Sequence, residues 1–269
     1  MSGKPQPQGN RDRGWDPVAG WYDKLVGDEG SDYHKHIILP AVIRMLAPKK
    51  GEAALDLCCG QGVLTPHLLE KGVTRLTGVD ASPKLIESAR LRHGMRPGVN
   101  FLVSDACKPA PWADGSYDFA ACVMAVHDVP EIDGLFANLS RSLKPGGRAV
   151  IVFMHPCFRV PRQSHWGWDP DHKIQYRRID RYSSPIGIPI ATHPGRDTGE
   201  LTTFHHRPLA TYFHTLGKAG LGVTDCEELH SHRRSQQGPR SRAEHRAAEE
   251  FPLFIALSVA HVGQNAASP

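Results

Sequence analysis

Three aspartates stand at or near the ends of short apolar runs: Asp56 in "AALDLC", Asp80 closing "RLTGVD" and Asp105 in "VNFLVSDA". Gly60 and Gly62 follow the first run, one residue apart. Glycine there permits a tight turn and lets a ligand lie against bare backbone. Two imidazoles end later runs, His127 after "YDFAACVMAV" and His155 after "RAVIVFM", and His206 opens "HRPLATYF". Imidazole titrates near neutral pH, so each is a candidate to accept a proton during a reaction.

The acids narrow the ligand. Asp80, at the end of the second run, is placed to hold a ribose diol, which dinucleotides and other nucleosides share. A dinucleotide fingerprint also wants a third glycine three residues after Gly62, and that position is Thr65. Asp105 is suited to accept a hydrogen bond from an exocyclic amine such as that of adenine. A row of carboxylates at 56, 80 and 105 repels a pyrophosphate and attracts an ammonium. S-adenosylmethionine carries a sulfonium, an ammonium, a ribose and an adenine, and no phosphate, so it meets these demands.

The elements that must position these groups alternate. "AALDLC", "RLTGVD", "VNFLVSD", "YDFAACVMAV" and "RAVIVFMH" read as buried strands. Between them lie helical patterns: "VLTPHLLEKG" closed by Gly72, a segment capped by Ser82 with Pro83 at its first position, and a stripe of Ile132, Leu135, Phe136, Leu139 and Leu143 stopped by "KPGG". Upstream, "IILPAVIRML" is expected to pack as a helix on the core. Such alternation implies βαβ units and a parallel sheet covered on both faces, with the ligand beyond the carboxyl ends of the strands. Residues 157–205 break the pattern with Trp166, Trp168, Tyr176, Tyr182, many prolines and little period, and read as an irregular lid whose aromatics either wall an acceptor pocket or staple the lid to the sheet. A helix over "RPLATYFHTLGKAGL", with Leu209, Tyr212, Phe213 and Leu216 inward, and strands "GVTDCEEL" and "FPLFIALSVAHV" complete the chain. The polar segment between those strands reads as a surface loop ending in a short helix.

Taken together, "LDLCCGQG", "GVDAS", "SDA" and "LKPGG" resemble the class I S-adenosylmethionine-dependent methyltransferases, chiefly the small-molecule enzymes of the ubiquinone/menaquinone type. The resemblance covers roughly residues 50–155, with weaker likeness in "AGWYDKLVGDEGSDYHKHIILP", "HPCF" and "HRPLATYF". It implies an α/β fold, Rossmann-like and doubly wound, whose mostly parallel seven-stranded sheet has an antiparallel last strand and an inserted lid. It implies one domain over residues 15–269, with 157–205 as the substrate-binding insertion and 1–14 as a disordered leader. By the same resemblance Gly60 and Gly62 lie against the methionine moiety, and Asp56 or the Cys58 backbone reaches its amine. Asp80 with Ala81 holds the ribose, Asp105 with the Ala106 backbone reads the adenine, and Tyr22 and Tyr33 close over the cofactor.

The expected reaction is in-line displacement of the methyl group onto O, N, S or an activated carbon of a small organic acceptor. A base is needed only if that acceptor is protonated, and His127 and His155, at strand ends, are the leading candidates. His206 is a candidate catalytic group or a fixing point for the lid. Three other readings compete. The arginines 233, 234, 240, 242 and 246 and the net charge of +4 allow a nucleic acid (RNA) methyltransferase, although no Asn/Asp-Pro-Pro-aromatic motif follows the fourth strand. A non-catalytic S-adenosylmethionine-binding regulator is the second, and a nicotinamide-dependent oxidoreductase the third. Composition is that of a globular protein, 40% hydrophobic and 22% charged, with no stretch apolar enough for a membrane span and no secretory signal. The six cysteines lack metal-ligand spacing and read as small buried residues in a reducing cytoplasm; a thiolate role for Cys157 in "HPC" is a remote alternative. No metal is called for, and the sequence leaves monomer and homodimer open.

Overall fold

The computed structural model describes residues 15–27, 30–191 and 201–263. The leader expected over 1–14, and part of the expected lid, lie outside the described residues. A short helix α1 (Ala19–Val26) precedes a π-helical turn (His34–Ile38) that runs into α2 (Leu39–Leu46). The core then alternates β1 (Ala53–Leu57), α3 (Thr65–Glu70), β2 (Arg75–Asp80), α4 (Pro83–His93), β3 (Val99–Val103), β4 (Tyr117–Val123), α5 (Ile132–Ser142) and β5 (Leu143–Met154). Two hairpins follow, β6 (Ser164–Asp169) with β7 (Ile174–Ile179) and β8 (Ile186–Ala191) with β9 (Leu201–His206). The chain ends in α6 (Leu209–Lys218), β10 (Leu221–Leu229), α7 (Ser241–Glu250) and β11 (Phe254–His261).

The seven-stranded sheet has the order β10-β11-β5-β4-β1-β2-β3. The five strands β1 to β5 run parallel, and β11 is antiparallel to both β5 and β10. Side chains alternate across this sheet and bury both faces. Leu55, Leu57, Ile151, Phe153 and Ile255 face α5 and α6, whereas Ala54, Phe119, Val150, Val152 and Ala256 face α2 and α3. Phe153 and Tyr212 stack at 4.4 Å between ring centroids. Truncating a buried aromatic of this kind costs about 3–5 kcal/mol. Ser82 caps α4 by accepting from the Leu85 amide at 3.3 Å, as its sequence predicts.

Three expectations need correction. Leu143 is the first residue of β5 and not the end of the α5 stripe, because Lys144, Pro145 and Gly146 extend the chain immediately after Ser142. Phe213 is 41% exposed, and the buried face of α6 is completed by Thr215 beside Tyr212 and Leu216. The insertion is not irregular where described: it folds as two antiparallel hairpins, joined to the core through Val160, Ile188 and Phe204. The helix at the end of the polar loop is α7, as expected.

Candidate active site

The turn after β1 is tight for a stated reason. Cys58, Gly60 and Gly62 all have positive φ, at 57°, 54° and 82°. The Cys59 amide donates to the Val79 carbonyl at 3.0 Å, the Gly62 amide to Cys59 O at 2.9 Å and the Thr65 amide to Gly62 O at 3.0 Å. At Gly62 a Cβ would meet His93 at 3.1 Å and Phe101 at 3.2 Å. Gly62→Ala therefore combines a left-handed backbone with a crowded methyl. We expect it to lower stability by about 1–3 kcal/mol, as a reduced midpoint in urea, and to weaken nucleoside binding through the displaced turn. The non-glycine Cys58 accepts the same left-handed strain, with its thiol against Cys122.

This turn walls a concavity of about 380 Å3, partly open to solvent, together with His34, Leu39, Asp56, Gln61, Val63, Leu64 and Val123. Two of its polar groups lack a protein partner among the described residues. Asp56 is 3% exposed and takes no hydrogen bond among the described residues; burial, and then the nearby Asp80, push its pKa up to about 8. Gln61 is 1% exposed and its Nε2 is unpaired. His34 also lines the wall, its Nδ1 2.8 Å from Ser31 Oγ, and burial holds it down at about 4.

Asp80 stitches the site together. Its Oδ2 accepts from the Gly60 amide at 3.0 Å and its Oδ1 from the Ser82 amide at 2.8 Å. Burial raises its pKa, and these amides, with that of Ala81, oppose the rise. Each carboxylate oxygen keeps a second lone pair for another donor. One strand further on, Asp105 Oδ1 accepts from the Cys107 amide at 2.9 Å, and its Oδ2 is 3.3 Å from Lys108 Nζ. Ala106 is buried beside it, its carbonyl taken by Asn138 Nδ2 at 2.7 Å.

The histidines separate. His127, just after β4, is 6% exposed, and its Nδ1 has no partner. Its ring lies 5.0 Å from Phe204, and its Nε2 is 3.9 Å from Asp128 Oδ2. Burial, helped by Arg159 and Arg207, pulls His127 down to about 3, and burial lifts Asp128 well above the carboxylate range. His127 is thus neutral near pH 7. His155 is engaged at both nitrogens: Nδ1 accepts from the Cys157 amide at 3.2 Å and Nε2 donates to Glu228 Oε1 at 2.8 Å. That removes it from the candidate bases and makes it a brace between β5 and β10. His206 Nε2 donates to the Tyr182 carbonyl at 2.6 Å, which ties the end of β9 to the segment before β8 and leaves no free proton acceptor at that nitrogen.

Tyr33 is not in the wall of the concavity. It packs edge-on against Phe254 and His232, each at 5.7 Å, under the Arg233 guanidinium at 4.8 Å. The side chain of Tyr22 lies outside the described residues. Three aromatics of the insertion make contacts outside the concavity: Trp166 meets Phe251 at 5.5 Å, Trp168 lies under Arg240 at 4.6 Å, and Tyr182 Oη accepts from the Leu209 amide at 3.0 Å. Gln61, in the wall of the concavity, is not among the residues expected from the sequence, although its place between the two glycines is a signal for it.

Residues 55–151 match the family model described as a methyltransferase domain. The chain is similar to an uncharacterized methyltransferase of Synechocystis, 33% identical over 46% of this chain and 55% of that protein. It is also similar to the demethylmenaquinone methyltransferase of Tropheryma whipplei, 33% identical over 43% of this chain and 48% of that protein. The chain thus spans about half the length of these curated relatives. Among solved structures, an S-adenosylmethionine-dependent methyltransferase from Mesorhizobium loti superposes with a TM-score of 0.65 at 27% identity, covering 87% of this chain and 99% of its own. The sheet order, the glycine turn and these likenesses agree: the chain is similar to the class I S-adenosylmethionine-dependent methyltransferases, with a methyltransferase domain matched over residues 55–151.

Proposed function

We propose that this protein transfers the methyl group of S-adenosylmethionine to a small organic acceptor by in-line displacement. One observation carries the reading: a buried carboxylate, Asp56, and a buried amide donor, Gln61 Nε2, stand without protein partners in one concavity beside the Asp80 turn. An unpaired acceptor and an unpaired donor, both desolvated, suit the ammonium and carboxylate of an amino acid. S-adenosylmethionine, when bound, supplies a methyl group made electrophilic by its sulfonium. Asp56 would hold the ammonium, Gln61 and the Gly60–Gly62 backbone the carboxylate, Asp80 the ribose hydroxyls, and Asp105 with the Ala106 amide the adenine. Leu39, Val63, Leu64 and Val123 supply the apolar wall that excludes water.

At the acceptor side, neutral His127 offers Nδ1 as a hydrogen-bond or proton acceptor. Its burial aligns a substrate proton more than it attracts one, since an imidazole held at about 3 is a weak base until a neighbouring anion raises it. The name of the Tropheryma whipplei relative supports a small organic acceptor. Two arginines of the basic run are committed to other contacts, Arg233 to Asp32 and Arg240 to Trp168, which weighs against a nucleic acid face. No helix of the described residues is long and apolar enough to cross a membrane, and all six cysteines are free; the latter supports a reducing, cytoplasmic setting.

The test is calorimetry with S-adenosylhomocysteine. Asp56 has a folded pKa near 8, above its unfolded value, so near pH 7 it is mostly protonated. Pairing with an ammonium stabilises the ionised form, and binding should release close to one proton at pH 7, fewer at pH 9. Titrations in buffers of different ionisation enthalpy read this number. Failure to bind the nucleoside at millimolar concentration would sink the proposal, as would absence of labelled methyl transfer into a metabolite extract.

A further inference from the structure

The described lid between 157 and 191 carries six Lys or Arg residues against three acids. Several of these charges have partners within the protein. Arg178 is paired with Asp180, which also lies 3.7 Å from His165, and Asp169 takes His172 at 2.8 Å. Arg177 donates to the Phe158 carbonyl at 2.9 Å and to Ser164 Oγ at 2.7 Å, with its guanidinium 5.0 Å over Trp166. Arg207, at the end of β9, gives Nη2 to the carbonyls of Val129 and Pro130, each at 2.6 Å.

Arg159 is different. Among the described residues no carboxylate, carbonyl or hydroxyl accepts from its guanidinium, and its side-chain contact is the Phe254 ring, 5.7 Å from Cζ. It is only partly exposed, one turn beyond β5, where its amide donates to the His155 carbonyl at 2.8 Å. Tyr33 packs on the same Phe254 ring, and the next residue, His34, is part of the concavity wall. On the other side Arg159 acts electrostatically on His127, whose buried Nδ1 is also without a partner. Burial lowers the pKa of Arg159, and the Tyr33 phenol is the group that pulls it back up. A guanidinium withdrawn from water without an anion is costly, and its planar fork of donors matches a carboxylate or a phosphate in two parallel bonds.

We propose that Arg159 is the acceptor-recognition residue of this site, and that the methyl acceptor is an acid, a small molecule bearing a carboxylate or phosphate beside the group that is methylated. This rests on the methyltransferase reading above and adds the charge of the substrate. The anion would serve twice. It completes the hydrogen bonding of Arg159, and its negative charge beside His127 raises the proton affinity of an imidazole that is otherwise too weak a base. The carboxylate of S-adenosylmethionine has the same chemistry, so the test must tell the two sources apart.

The full chain is first titrated with S-adenosylhomocysteine; absence of binding by the wild type removes the methyltransferase reading and this inference with it. The loaded protein is then titrated with benzoate and with phenyl phosphate as anionic probes, and with uncharged benzamide as their control. We expect at least one anion to bind ten-fold or more tighter than benzamide. In Arg159→Met that preference should fall to within two-fold, while affinity for S-adenosylhomocysteine stays within three-fold of wild type. Absence of an anion preference in the wild type, or its persistence in Arg159→Met, overturns the proposal while leaving the methyltransferase reading intact. A ten-fold loss of S-adenosylhomocysteine affinity in Arg159→Met also overturns it and assigns Arg159 to the cofactor carboxylate. Should the Met variant not fold, Arg159→Lys decides: loss of the fork should reduce the anion preference at least three-fold, and an unchanged preference refutes the assignment.

Discussion

Asp80→Ala is expected to weaken S-adenosylhomocysteine binding by on the order of a hundred-fold. The loss has two sources. A charge-assisted hydrogen bond to a ribose hydroxyl is worth roughly 1.5–3 kcal/mol, and each 1.4 kcal/mol is about a factor of ten in affinity. The same carboxylate accepts from the amides of Gly60 and Ser82, so its removal also loosens the glycine turn and the start of α4. Those two amides then lack their acceptor, at about 1–3 kcal/mol for each that water does not reach. A drop of several degrees in melting temperature should therefore accompany the weaker binding. Part of that drop is returned, because Asp80 is itself a buried charge whose pKa is raised by desolvation. Calorimetry and a thermal melt on the same sample check both numbers. Equal affinity in wild type and variant would remove Asp80 from the nucleoside site.

His127→Ala is expected to lower kcat by about 10²–10⁴-fold, the usual range for a positioned acid or base, with S-adenosylhomocysteine affinity nearly unchanged. The geometry separates the two readouts. His127 lies after β4 against Phe204, whereas the groups proposed to hold the nucleoside are on the β1 turn and the tips of β2 and β3. The assay follows labelled methyl into the acceptor fraction. Normal turnover in the variant would mean that the acceptor arrives already deprotonated or that another group takes its proton. His155→Ala is the matched control: with both of its nitrogens engaged by protein atoms, its loss should cost stability and leave the catalytic rate of the folded fraction intact.

Much of the sheet is legible in the sequence because buried parallel strands leave continuous apolar runs, and helices between them leave stripes and caps. Ser82 with Pro83, and the Gly60–Gly62 pair, carry their own signals because one fixes a helix start and the other requires positive φ. The boundary at Leu143 was hidden because an apolar residue satisfies a helix stripe and a strand edge equally well. The lid hairpins were hidden for a related reason. β6 and β7 have little apolar alternation to read, since most of their side chains are exposed or half-buried and their aromatics pack sideways on Phe251 or under arginines. At the site, strand-end position marked His127 and His155 alike. Only the partners of their ring nitrogens distinguish them, and Glu228, the partner of His155, is 73 residues away in sequence. Arg159 was invisible because its interest lies in what it does not touch.

The two walls of the crevice are hung differently. The hairpin side is bolted at its root, with His206 on Tyr182, Tyr182 on Leu209 and Arg207 on Val129 and Pro130, all through backbone atoms. The opposite side rests on Asp32, whose exposed carboxylate gathers His36, His232 and Arg233. Exposed ion pairs are worth about 0–1 kcal/mol each and weaken as salt rises. Rising salt should therefore loosen the contacts around Asp32 first, while the hairpin side, held by uncharged backbone acceptors, keeps its place.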